Sequence, residues 1–209
     1  MIKKLVGILD YGINNIASVY NSLKKLDNIE IKIIKETIDF KNLRHLIIPG
    51  VGSFDSGNMN LKKIGFIEKI LTFSKDENNY LLGICLGAQL LFEKSEEDFE
   101  KSTGISIFKG GCKLLKSDSE IIKVPHMGWN KINYQTNHSL FKDIPNDFYA
   151  YFVHSYYIKP EDTKIILGKT LHGIDFPSIV GNRNNIGIQF HPEKSGKVGL
   201  KLLENFIKL

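Results

Sequence analysis

The segment Gly83-Ile84-Cys85-Leu86-Gly87 follows the apolar run Tyr80-Leu81-Leu82 and leads into a helix-forming stretch. A nucleophile on a tight strand-to-helix turn needs small residues on both sides, because the turn leaves no room for side chains there. Gly83 and Gly87 meet that need and leave Cys85 projecting from the end of the strand. The start of the following helix favours negative charge on the sulfur. The backbone N–H of Leu86 is placed to face the oxygen of an attacked carbonyl. A small core cysteine on a glycine-flanked turn would read the same way in isolation, so the assignment depends on finding a base.

His191 is the candidate base. It stands in Gln189-Phe190-His191-Pro192-Glu193, after the strand-like residues Ile186 to Gln189. On an extended segment residues i and i+2 share a face. That would set Glu193 beside the ring to orient its other nitrogen, as a triad needs. Pro192, with no N–H, suits a strand end. A surface turn could carry the same three residues; with the cysteine turn they make Cys85, His191 and Glu193 a candidate triad. A third segment, Ile48-Pro49-Gly50-Val51-Gly52, ends a strand in glycines. Its Val51 N–H could join that of Leu86 as an oxyanion hole, although a plain strand-to-helix turn looks the same. His45, ahead of an apolar strand, reads as structural.

The elements that must hold these residues follow from apolar spacing. Leu5 to Leu9, Leu46 to Ile48 and Tyr80 to Ile84 are short apolar runs that read as buried strands, and Ile29 to Ile34 alternates in part and reads as a further strand. Between them, Ile16, Val19, Tyr20, Leu23 and Leu26 fall at helical spacing behind a cap at Asn14 or Asn15, and Met59 to Phe73 has helical spacing too. A helix near Leu86 carries Leu90, Leu91 and Phe92. Strands alternating with helices predict an α/β fold with a parallel sheet covered on both faces. From about Ile105 to Ile188 the chain has β-like runs at Tyr149 to Ile158, Lys164 to Thr170, Ser178 to Val180 and Ile186 to Phe190. These predict an antiparallel extension of the same sheet. Gly196 to Leu209 closes the chain as an amphipathic helix. There is no repeat and no evident linker, so residues 1–209 are expected to form a single domain.

Composition narrows the function classes. The chain has 209 residues, 42% of them hydrophobic and 24% charged, enough for a sizeable core. The net charge of +5 raises the question of nucleic acid, but only Arg44 and Arg183 among the 28 basic residues are arginine, and the lysines are scattered. A nucleic-acid binder is expected to cluster its charge and favour arginine. The lysine excess fits AT-rich coding instead. Cys85 and Cys112 have no CxxC spacing, so no metal or redox motif is expected, and Cys112 reads as a small core residue. Met1 to Leu5 runs straight into a strand, without the apolar core and cleavage site of a signal peptide. No apolar stretch approaches the roughly 18–20 residues of a membrane span. The expectation is a soluble cytoplasmic protein with no cofactor.

Pro49-Gly50-Val51-Gly52, the cysteine turn and His191-Pro192-Glu193 together resemble the class I (triad) glutamine amidotransferases. More narrowly, the chain is similar to the glutaminase subunits of imidazole glycerol phosphate synthases. Further matches are Asp10-Tyr11-Gly12, Gln89 to Glu93, Ser95-Glu96-Glu97, Pro125-His126-Met127-Gly128-Trp129-Asn130, Phe152 to Tyr156 and His191 to Ser195. They span nearly the whole chain, and Pro125 to Asn130 is the most specific. The resemblance implies a flavodoxin-like amidotransferase fold, with a mixed, mostly parallel central sheet flanked by helices. It implies hydrolysis of L-glutamine through a Cys85 thioester, with Gly52, Gln89, Ser155 and Tyr156 holding the substrate and Glu97 beside them. Val51 and Leu86 would supply the oxyanion N–H groups, the Val51 peptide turning into place only when a liganded partner is docked. That partner would be a (β/α)8-barrel cyclase in a heterodimer, receiving ammonia across a face made by Asn15, Pro125, Met127 and Trp129. Trp129 is equally compatible with burial. The family's Gly is Asn14 here and its Met is Ala88, Gly57 to Asn60 carries an apparent extra residue, and Ser53 to Gly57 departs from the commonest version. These departures are expected near the glutamine pocket and partner face. Related readings are an amino-sugar pathway glutaminase, a catalytically silent binding module and a partner-free cysteine hydrolase.

Overall fold

The computed structural model describes residues 3–13, 15–97, 103–116 and 122–209. Asn14 lies outside them. The first half alternates strands and helices: β1 (Lys4–Leu9), α1 (Ile16–Leu23), β2 (Ile29–Ile34), β3 (His45–Ile48), α2 (Phe54–Ile64), α3 (Phe66–Lys75), β4 (Tyr80–Ile84) and α4 (Leu86–Leu90). The second half is mainly strands: β5 (Phe92–Ser95), β6 (Phe108–Leu114), β7 (His126–Tyr134), β8 (Asp147–His154), β9 (Tyr156–Pro160), β10 (Ile166–His172), β11 (Ile174–Gly181) and β12 (Asn185–Ile188). α5 (Gly196–Lys208) closes it.

Among the described residues the main sheet has the order β2-β1-β3-β4-β12-β11-β10-β7-β8. β2, β1, β3, β4 and β12 run parallel, and the rest add on antiparallel. This is the mixed sheet the sequence predicts. Parallel register brings the C-terminal ends of β1, β3, β4 and β12 to one edge. Residues after those ends, Pro49 to Gly52, Cys85 and His191, therefore meet there, where open α/β sheets bind ligands.

Side-chain alternation along each strand divides the core in two. Val6, Ile8, Ile47, Leu82 and Ile84 face α1 and α5 (Val19, Leu23, Leu202, Leu203, Phe206). Leu9, Leu46, Ile48 and Leu81 face α2, α3 and α4 (Phe54, Leu61, Phe66, Ile70, Leu86, Leu90). Strands buried on both faces explain why these segments are continuously apolar.

Four expectations need correction. The helical spacing from Met59 to Phe73 belongs to two helices, broken at Gly65, whose φ of 80° is left-handed and caps α2. The run Tyr149 to Ile158 is two strands in two sheets. β8 stays in the main sheet, and the chain turns at Ser155 so that β9 joins β6 and β5 in a separate three-stranded sheet. The helix at Leu86 ends at Leu90, because Ile105, Ile107 and Phe108 donate their N–H groups to the carbonyls of Leu90 and Leu91 and draw Phe92 into β5. Pro192–Lys194 is a 3-10 turn rather than extended chain. No helix among the described residues is long and apolar enough to cross a membrane.

Candidate active site

Cys85 occupies a strained position. Its φ of 53° and ψ of −109° lie where non-glycine residues are rare, the conformation expected of a nucleophile turn. Neighbouring backbone holds it there. The Cys85 N–H donates to the Ile188 carbonyl at 2.8 Å, and its carbonyl accepts from the Gln89 N–H at 3.1 Å. The turn is as crowded as the two glycines imply: a Cβ on Gly83 would stand 2.6 Å from the Gly87 carbonyl oxygen.

His191 follows β12 on the neighbouring strand. Its Nδ1 lies 2.7 Å from Glu193 Oε1, and both side chains are almost fully buried. The 3-10 turn, not an extended segment, makes this pairing. Lys194 N–H donates to the His191 carbonyl at 3.0 Å, and the Ser195 hydroxyl donates to it at 2.6 Å. With Nδ1–H committed to the carboxylate, Nε2 is left for Cys85. Among the described residues Nε2 has no hydrogen-bond partner, yet Cys85 is close enough to act on the charge of the ring. Burial favours the neutral imidazole, but Cys85 and Glu193 outweigh it and hold the His191 pKa up at about 10. A protonated imidazole beside the sulfur is placed to give its proton to a leaving group.

The two open into a cavity of about 280 Å³ whose walls include Val51, Gly52, Leu86, Gln89, Ser155 and Tyr156, with Glu97 at its margin. All the sequence-predicted substrate and oxyanion positions therefore converge on one small space. Gln89 is buried and donates its amide to the Tyr156 carbonyl at 2.9 Å. Glu97 accepts the Phe54 N–H at 2.9 Å and so holds the start of α2 just beyond Gly52. Larger clefts lie elsewhere, of about 630 and 760 Å³, but their rims are basic and no cysteine lines them. Chemistry, not size, singles out the smaller one. Among the described residues no group of three or more His, Cys, Asp or Glu side chains could hold a metal ion.

A family model described as glutamine amidotransferase class-I matches residues 7–209. The imidazole glycerol phosphate synthase subunit HisH of Sulfurimonas denitrificans is 43% identical over 98% of both chains. That of Methanocaldococcus jannaschii is 41% identical over 98% of this chain and all of its own. The chain belongs to the class I glutamine amidotransferases, within their HisH family. The PurLQS structure from Thermotoga maritima superimposes with a TM-score of 0.73 at 16% identity, covering 99% of both chains, so the amidotransferase fold holds beyond sequence similarity.

On this amidotransferase Pro125 leads into β7 and His126 to Asn130 form its start, next to the site. Met127 pairs with Val153, whose carbonyl is 3.9 Å from Cys85 Sγ, and Trp129 pairs with Tyr151, which accepts the His191 N–H. Pro125, Met127 and Trp129 are exposed; Trp129, at 57%, is not a core residue. Asn15 precedes α1 at the same edge of the sheet. Ala88, expected near the glutamine pocket, is not among the residues that line the cavity; it is buried against Gly187 of β12.

Sequence reasoning missed four members of the site. Val153 and His154 line the cavity. Gln189 is buried with its amide nitrogen 3.9 Å from Cys85 Sγ. The Tyr11 hydroxyl is buried behind Gly50, and burial and Cys85 push its pKa far up. Their motifs were visible, but only the fold brings them to the sulfur.

Three buried histidines outside the triad should lower the stability of the protein in acid. Burial, then Lys4 and Arg44, lower His45 from 6.5 to about 4. Burial and His172 lower His126 to about 4, and burial and neighbouring histidines lower His154 to about 3. Each ring binds a proton more readily in the unfolded chain. Its contribution to stability is therefore complete above 6.5 and is lost as pH falls towards its folded value. His191 acts oppositely: its contribution is complete below 6.5 and is lost as pH rises through about 10. Thermal melts at about pH 7 and about pH 5 should differ by roughly 10 °C or more. His45→Phe should reduce the difference by about a third. Equal melting temperatures would contradict the buried neutral state.

Proposed function

We propose that this chain is the glutaminase subunit of an imidazole glycerol phosphate synthase. It would act as one domain over residues 1–209, in a cytoplasmic heterodimer with a barrel cyclase. The observation that carries the reading is the buried His191–Glu193 pair set beside a strained Cys85 in a cavity of amino-acid size.

The geometry supports a stepwise reaction. Cys85 Sγ attacks the side-chain amide carbon of L-glutamine. The N–H groups of Val51 and Leu86 take the charge that develops on the amide oxygen. His191 gives its Nε2 proton to the departing nitrogen, the C–N bond breaks, and ammonia and a γ-glutamyl thioester result. Water then attacks the thioester, His191 takes a proton from it, and glutamate leaves as the Cys85 thiolate is restored. Glu193 keeps the ring oriented and offsets its charge throughout. Gly52, Gln89, Ser155 and Tyr156 hold the amino acid, with Glu97 at the margin. Free ammonia is protonated in water and lost as a nucleophile. A direct passage from the cavity past Asn15, Pro125, Met127 and Trp129 into the partner suits the chemistry.

The test is glutamate release from L-glutamine by the purified chain, alone and with a barrel cyclase carrying its ribotide substrate. Turnover that rises strongly in the loaded complex is expected. No turnover under either condition would overturn the reading in favour of a silent binding module. Hydrolysis of esters or peptides without any partner would point to a general cysteine hydrolase.

A further inference from the structure

Two buried histidines that the triad does not use form part of a directed hydrogen-bond chain. The Asn130 side chain, half-buried on β7, is fixed first: its Oδ1 accepts the Lys131 N–H at 2.7 Å, and its Nδ2 donates to the Leu171 carbonyl at 2.9 Å. That orientation aims the same NH2 group at His126 Nε2, 3.1 Å away. His126 Nε2 must then accept, so its proton sits on Nδ1, which lies 3.0 Å from His154 Nε2. His154 Nε2 must accept in turn, and its Nδ1–H donates to the Tyr156 carbonyl at 2.9 Å. Every tautomer follows from the one before.

The chain ends on a carbonyl that already serves the site. The Tyr156 carbonyl also accepts the Gln89 amide at 2.9 Å, and Gln89 in turn is 3.4 Å from Gln189, the residue next to Cys85 Sγ. Ring packing fixes the middle of the chain. His126 is stacked between Phe152 and His172, with centroids at 4.6 and 4.1 Å. Such packing leaves the imidazole little freedom to rotate and no room for water around it. Both rings are neutral at ordinary pH, in keeping with the one-way pattern. Polar groups buried against Phe152 and Phe176 are unfavourable unless fully paired, and this chain pairs the nitrogens of both rings.

We propose that Asn130, His126 and His154 are positioning residues for glutamine: a one-way chain from the half-buried Asn130 of β7 fixes the Ser155–Tyr156 wall and Gln89, and so sets how tightly the substrate is held. This rests on the glutaminase reading above. None of the three transfers a proton in the reaction, so their removal acts on substrate binding and spares the nucleophile.

The test uses the chain in complex with its barrel partner and L-glutamine as the probe. His126→Phe keeps the stacked ring and deletes both hydrogen bonds; KM should rise about tenfold, as for a buried polar group left unpaired, with kcat nearly unchanged. His126→Asn restores a donor where Nδ1 stood and should recover most of that loss. If His126→Phe does not fold, Asn130→Ala opens the chain at its half-buried end and should raise KM about threefold. An unchanged KM, or equal losses in kcat for the Phe and Asn variants, would overturn the proposal. A second readout does not depend on glutaminase activity: nitrogen-15 NMR of the free chain should show Nδ1–H tautomers at His126 and His154, and an Nε2–H tautomer at either would also overturn it. If the wild-type complex hydrolyses no glutamine, the glutaminase reading fails, while the NMR result still decides whether the chain exists.

Discussion

Cys85→Ala should release glutamate at least about 10⁴-fold more slowly than the wild type while folding normally and keeping its partner. The expected loss is this large because the proposed route passes through a thioester, and no second thiol is among the described residues that line the cavity. His191 would remain, but a base without its nucleophile gives only the residual catalysis of binding and oxyanion contacts. The substitution removes a single atom from a residue that is 7% exposed, and the backbone bonds to Ile188 and Gln89 are unaffected. The measurement is glutamate release in the loaded complex, with thermal melting and partner binding as controls. Hydrolysis within tenfold of wild type would sink the assignment of Cys85.

The second cysteine supplies the contrast. Cys112 sits on β6 with its S–H 3.8 Å from the Gln89 carbonyl, and burial, with Glu97, raises its pKa well above the ordinary thiol value. No cation faces it. Cys85 has the protonated ring of His191 and an opening to solvent through the cavity. One residue type is thus inert or reactive by surroundings alone. Iodoacetamide should alkylate Cys85 and leave Cys112 untouched in the folded protein.

Much of this arrangement was legible in the sequence because it rests on local sterics. The glycines around Cys85 and the proline after His191 are demands of a turn, and a turn is short enough to read. The strands β1, β3 and β4 were legible because burial on both faces leaves a largely apolar run, and the edge strand β2 because its isoleucines alternate with Glu30 and Lys32. The later strands were harder. β7 alternates exposed and buried residues and contains Gly128, and β6 carries adjacent glycines, so neither stands out as apolar. The change of sheet at Ser155 left no mark, since both sides of it are rich in aromatic residues. The pairing of Glu193 with His191 was anticipated, but through the wrong backbone: Pro192 starts a 3-10 turn that reaches the same contact by curling. Tyr11, Val153, His154 and Gln189 join the site only through pairings between distant strands. No spacing in the chain encodes such contacts.

The same steric logic yields the largest expected effect on stability. Gly87 lies in the first turn of α4, where it crosses the end of β3. A Cβ placed there would stand 1.8 Å from the Ile48 carbonyl oxygen and 2.8 Å from its carbon. Both atoms are backbone, so no rotamer change can relieve the contact. Either α4 lifts from the sheet or the end of β3 moves, and β3 leads directly into Pro49 to Gly52. Each movement separates the Leu86 N–H from the Val51 N–H, so stability and activity should fail together. Gly87→Ala should lose more than about 4 kcal/mol, the range of severe core overpacking and strain. Gly65→Ala is the control. Gly65 has a left-handed φ of 80° but nothing within 4 Å of the added carbon, so only the conformational term applies, about 1 kcal/mol. Denaturant melts of the two variants distinguish a collision from a conformational preference. A Gly87→Ala protein as stable as Gly65→Ala would mean that the backbone at Ile48 yields easily, and that the close packing of α4 on β3 does not hold the nucleophile turn in place.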